Sequence, residues 1–75
     1  MKLDATPWAR DGLSPEDRAE IYDAEPSDGR ALLSRDKPGG LFKATLTGCV
    51  SMTVQQGTGT TAIAAFRSAL AKVPA

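Results

Sequence analysis

Leu41-Phe42-Lys43-Ala44-Thr45-Leu46-Thr47-Gly48-Cys49-Val50-Ser51-Met52-Thr53-Val54-Gln55-Gln56 is the stretch whose reading decides the fold. Apolar and polar residues alternate through both halves, the period of a half-buried strand. Thr47-Gly48 is a break at which two strands can turn back on each other. A two-residue loop sets Leu46 opposite Cys49 and mixes apolar and polar groups on both faces. A three-residue loop, Thr47-Gly48-Cys49, sets Leu46 opposite Val50, Ala44 opposite Met52 and Phe42 opposite Val54. Those apolar residues then share one face, and Lys43, Thr45, Ser51 and Thr53 share the other. A slip of one residue exchanges the faces, so the pattern selects the three-residue register and puts Cys49 in the turn.

Upstream, Arg30-Ala31-Leu32-Leu33-Ser34-Arg35 reads as another strand. Lys37-Pro38-Gly39-Gly40 follows as a type II turn, with proline presetting the first central position and Gly39 accepting the positive φ of the second. A helix start stands at Ser14-Pro15-Glu16-Asp17. Ser14 can accept from free backbone N–H groups, Pro15 suits the first helical position, and the acids sit at the positive end of the helix dipole. The helix is predicted over 15–24 and stops before Pro26. Its apolar stripe is thin (Ala19, Ile21, Tyr22), which suits a lid at the edge of the core. Residues 1–12, interrupted by Pro7 and Gly12, are expected to form an arm, and 13–75 a single small domain.

Downstream, Gly57-Thr58-Gly59-Thr60-Thr61 is expected to be a tight turn, capped by Thr60, into a helix over 60–73. Ile63, Phe66, Leu70 and Val73 form its stripe, and Ala62 and Ala69 let it lie close to a sheet. The expected architecture is α+β. A three-stranded antiparallel sheet carries the C-terminal helix on one face and a short N-terminal helix beside it. The other face, rich in Thr, Ser and Lys, is left for water or a partner.

Seventy-five residues allow one core, and a chain this short buries roughly 60% of its unfolded surface. No apolar run approaches the ~20 residues that span a bilayer, and the polar start lacks a secretory core. With one cysteine, Cys49, no disulfide framework can form, and a cytoplasmic setting is expected. Net charge is zero, but residues 1–36 hold all nine acids against five bases, while 37–75 hold four bases (Lys37, Lys43, Arg67, Lys72) and no acid.

The chemistry is narrow. Without histidine there is no Ser-His-Asp or Cys-His catalysis and no histidine-based metal site. One cysteine makes no thiolate zinc site, and nothing near Cys49 in sequence activates it. Glu16 and Glu20 share a helix face, but a short exposed helix offers no pocket to separate their pKa values. The Gly57–Thr61 run has no lysine with which to complete a phosphate-binding P-loop. The expectation is therefore a non-enzymatic protein without cofactor or metal.

The order helix, three strands, helix resembles the double-stranded RNA-binding domain. Gly57-Thr58-Gly59-Thr60-Thr61-Ala62-Ile63-Ala64-Ala65 is similar to that family's GxGxSKKxAKxxAA stretch before its last helix. The resemblance implies that fold and contacts to duplex phosphates. Thr61, Ala62 and Ala64 stand at or near the places of the family's lysines, and Lys37-Pro38-Gly39-Gly40 lacks the histidine of its GPxH loop.

The leading expectation is a small regulatory or inhibitory module that docks onto a larger protein or complex. Small phage-encoded anti-defence proteins, anti-CRISPR proteins among them, are similar in size and in lacking motifs. Candidate contacts are Trp8, Glu16, Asp17, Glu20 and Asp23, with Lys43, Thr45, Ser51 and Thr53 on the polar sheet face. Trp8 either anchors a partner, as tryptophan often does, or folds back over one end of the core. One alternative is nucleic-acid binding through Lys37, Lys43, Arg67 and Lys72. Another is a homo-oligomer joined through strand edges.

Overall fold

A computed structural model describes residues 1–25, 27–37, 39–50 and 53–73, with the backbone alone of Cys49, Val50 and Thr53. The elements in chain order are β1 (Lys2–Ala5), α1 (Pro7–Arg10), α2 (Pro15–Asp23), β2 (Arg30–Arg35), β3 (Phe42–Val50), β4 (Thr53–Gly59) and α3 (Ala62–Leu70). The strands form one sheet in the order β1-β2-β3-β4. β1 runs parallel to β2, and the other pairs are antiparallel.

The fold is α+β with helix on sheet, as expected, but the sheet has four strands and is mixed. The fourth strand comes from the expected arm. Lys2 N–H donates to Gly29 O at 2.9 Å and Thr6 N–H to Leu33 O at 3.0 Å, tying this segment to β2. Parallel pairing needs a long crossover, which α1 and α2 supply. Met1 is buried, and its ammonium donates to Tyr22 O (2.8 Å) and Ala24 O (3.1 Å), carbonyls freed where α2 ends.

Alternation sorts the core. Ala31 and Leu33 of β2 oppose Leu46 and Ala44 of β3, and with Phe42 they are buried on one face. All three helices join that face. Ala9 of α1, Ile21 of α2, and Ala62, Ala65, Phe66 and Ala69 of α3 complete the cluster. The buried stripe of α3 is thus rotated toward its alanines, and Ile63, Leu70 and Val73 are only partly buried.

The hairpin differs from its expected register. Leu46 pairs with Gln55, Ala44 with Gly57 and Phe42 with Gly59. Thr47-Gly48 is not the turn. Gly48 lies inside β3 at φ 74, where the register shifts between Leu46 and Val50, so its positive φ serves a bulge. Cys49 is accordingly a strand residue, and Val54, expected inside, is exposed on the outer face. The expected positions of Val50, Ser51, Met52 and Thr53 side chains lie outside the described residues.

The physical reason is α3. A β-carbon on Gly57 would lie 2.7 Å from Ala65 O and 2.8 Å from Ser68 C, and one on Gly59 would lie 2.8 Å from Ala65 N. β4 thus offers bare backbone to the helix, and Gly57-Thr58-Gly59 is the end of a strand, not a turn. The helix begins two residues later than expected. Thr61, not Thr60, caps it, its hydroxyl accepting from Ala64 N–H at 3.1 Å.

Other local signals hold. β2 spans the expected residues. At the next turn Gly39 has φ 82 and Gly40 N–H donates to Lys37 O at 2.9 Å; Pro38 lies outside the described residues. α2 opens on a capping box, with Asp17 N–H donating to Ser14 Oγ at 3.1 Å and Ser14 N–H to the Asp17 carboxylate at 3.3 Å. Ser14→Ala is expected to cost about 1 kcal/mol, measured as a shift of the urea midpoint at unchanged slope.

Candidate functional site

The sheet has two unlike sides. The helices cover one. The other carries Leu32, Lys43, Val54, Gln56 and Thr58 exposed, with Thr45 half-buried. Strand parity places Lys43 and Thr45 on this open face, as expected, whereas Glu16, Glu20 and Asp23 lie on α2, across the sheet. The structure therefore does not join the acidic helix and the polar sheet face into one surface. Ser51 and the Thr53 side chain lie outside the described residues.

Two of the acids have structural partners. Asp17 belongs to the capping box. Glu20 takes two hydrogen bonds from Arg67 of α3, at 2.7 and 2.8 Å. Those bonds hold the Glu20 carboxyl below its ordinary value, against a desolvation that pushes it up and with help from the Arg67 charge. A lowered folded-state pKa favours the ionised form in the fold. Its stabilisation is present above the unfolded carboxylate's pKa and is lost as pH falls through the lowered value. Both side chains are largely exposed, so the effect is small. Glu20→Gln should lower the urea midpoint slightly at neutral pH, and the difference should vanish in acid. An equal difference at both pH values would show that the loss is not electrostatic.

Trp8 is about half exposed on α1, beside Thr6, Pro7 and Arg35. It does not fold back over the core, and it stands on a helix, where its exposed half is open to contact. Of the expected cationic set, Lys43 is on the open face and Arg67 is in the ion pair across the sheet. Lys72 Nζ donates to Gln56 O at 2.6 Å, on the edge strand β4.

The feature that sequence did not bring together lies along β1. Two depressions that share Leu3, Asp4 and Tyr22 adjoin as a groove along this edge strand. Tyr22 of α2 stands over its middle, 56% exposed. Arg10 and Arg18 line one end, and Lys2 and Arg30 the other, with Asp4 the acid between them. Among the described residues the one ion pair is Glu20–Arg67, so these four cations have no carboxylate partner there. The pattern Lys2-Leu3-Asp4-Ala5 has a strand's alternation, but four residues are too few to distinguish it from an arm.

The chain matches no family model, no curated protein and no solved structure. Among the described residues no cluster of His, Cys, Asp or Glu is placed to hold a metal ion, and no helix is long and apolar enough to cross a membrane.

Proposed function

We propose that this protein is a small non-enzymatic binding module, regulatory or inhibitory in role, that acts by docking onto a larger protein. The observation that carries this reading is the groove along β1, where an exposed tyrosine, apolar side chains and cations with no carboxylate partner among the described residues line an edge strand. Aromatic and arginine groups around a partly apolar depression are the usual anchors of protein interfaces. A cytoplasmic site of action goes with this reading, since a lone cysteine suits a reducing compartment.

The duplex-RNA reading has less to support it. Of the positions at or near that family's lysines, Thr61 caps α3 and Ala62 is buried. The cations Lys43 and Arg67 lie on opposite sides of the sheet.

The test pairs two measurements. Affinity capture from the native host, with the purified protein as bait, should retain a protein that resists moderate salt. Gel shifts with duplex RNA, duplex DNA and single strands at low salt should show no complex. A sub-micromolar shift that fades steeply with salt, and weakens in Lys43→Glu and Lys72→Glu, would replace the proposal with nucleic-acid binding.

A further inference from the structure

We propose that the groove beside β1 receives an extended, acidic segment of a protein partner, which adds to the four-stranded sheet as a new edge strand. This deepens the binding-module reading and rests on it.

The backbone carries the first part. In a parallel ladder every second residue of a strand bonds its neighbour. Lys2 and Thr6 donate to β2, so parity assigns Lys2, Asp4 and Thr6 to β2 and turns the N–H and C=O of Leu3 and Ala5 toward the groove. Arg10 reaches Ala5 O only at 3.4 Å, a bond an incoming amide can replace. Such a row is a template for strand addition, in which main-chain bonds give affinity and flanking pockets read alternate side chains.

Charge selects the partner. Arg10 and Arg18 at one end and Lys2 and Arg30 at the other outnumber Asp4, so carboxylates are favoured at both ends. Between them Leu3 and Tyr22, on the helix side of β1, offer apolar contact to every other residue. The opposite edge, β4, is less suited, because Lys72 already occupies the Gln56 carbonyl.

The probe is a short synthetic peptide alternating valine with glutamate. Its controls are the same peptide with lysine for glutamate and one with alternate backbone amides N-methylated. Titration into the full-length protein, followed by amide NMR, should perturb Leu3, Ala5 and Tyr22 and slow exchange at the Leu3 and Ala5 amides. The lysine and N-methylated peptides should bind at least about tenfold more weakly, as should the acidic peptide to Arg10→Glu/Arg18→Glu. Both arginines are exposed, and the variant's spectrum reports whether it folds. No binding of the acidic peptide, equal binding of the lysine peptide, or perturbation centred on Lys43 and Val54 would overturn the proposal. So would an oligonucleotide that takes the same residues in preference to the peptide. Failure here is separable from failure of the broader reading. A captured partner that still binds Arg10→Glu/Arg18→Glu leaves a binding module with a different surface, whereas capture of no protein removes the module itself.

Discussion

Gly57→Ala is expected to cost about 3 kcal/mol, the upper end of the usual penalty for overpacking. Gly57 faces Ala44 across the hairpin and points at α3. The added methyl would meet Ala65 O at 2.7 Å and Ser68 C at 2.8 Å, with Ala69 N also in its way. These are backbone atoms of a helix, so no side chain can rotate to make room. Either α3 lifts off the sheet, losing contacts of Phe66 and its alanines, or β4 bends away from β3. At about 4–8 °C per kcal/mol for a chain of this size, the melting temperature should fall by roughly 12–24 °C. Gly39→Ala is the control. It has the strain of a positive φ but meets nothing within 4 Å, and should cost about 1–2 kcal/mol. A Gly57→Ala protein that melts with the wild type would mean that α3 is not seated on β4.

The same contact explains what could be read in the sequence and what could not. Hydrophobic alternation put Phe42, Ala44 and Leu46 inside, because there the core is made of side chains. It misassigned β4, whose inner face is Gln55, Gly57 and Gly59 and whose valine Val54 points out. A strand that offers bare backbone to a helix has no apolar signature, and its glycines look like a turn. The cap at Ser14 was legible because it is a local bond between residues three apart. β1 was not, since four residues pair in parallel with a strand more than twenty positions away.

That miss hid the candidate site as well. Arg10, Arg18, Tyr22 and Arg30 have no spacing that links them until β1 joins the sheet and α2 comes to lie beside it. Acidic residues dominate the first half of the sequence by count, yet cations dominate the groove that half builds. Net charge along a chain says little about the sign of a surface assembled from alternate residues of a strand and one side of a helix.

Phe66→Ala is the second large effect, expected at about 3–5 kcal/mol. Phe66 is the largest fully buried side chain, and of the other aromatics Trp8 and Tyr22 are exposed. Where in that range the cost falls depends on how far the surroundings can collapse. Here they collapse little. The buried cluster is rich in alanine (Ala44, Ala62, Ala65 and Ala69 among them), and alanine has no rotamer with which to fill a void. The helix itself already rests on Gly57 and Gly59 and has no closer approach to make. The upper half of the range is therefore expected. At about 0.05–0.15 kcal/mol per residue a chain this long has roughly 4–11 kcal/mol in all, so a loss of that size removes from roughly a third to all of the stability. Phe66→Leu, which keeps most of the volume, should lose no more than about 1.5 kcal/mol. Denaturant titration of the three proteins decides the matter. A loss below about 1 kcal/mol for Phe66→Ala would show that the void is filled by a rearrangement this alanine and glycine framework does not allow.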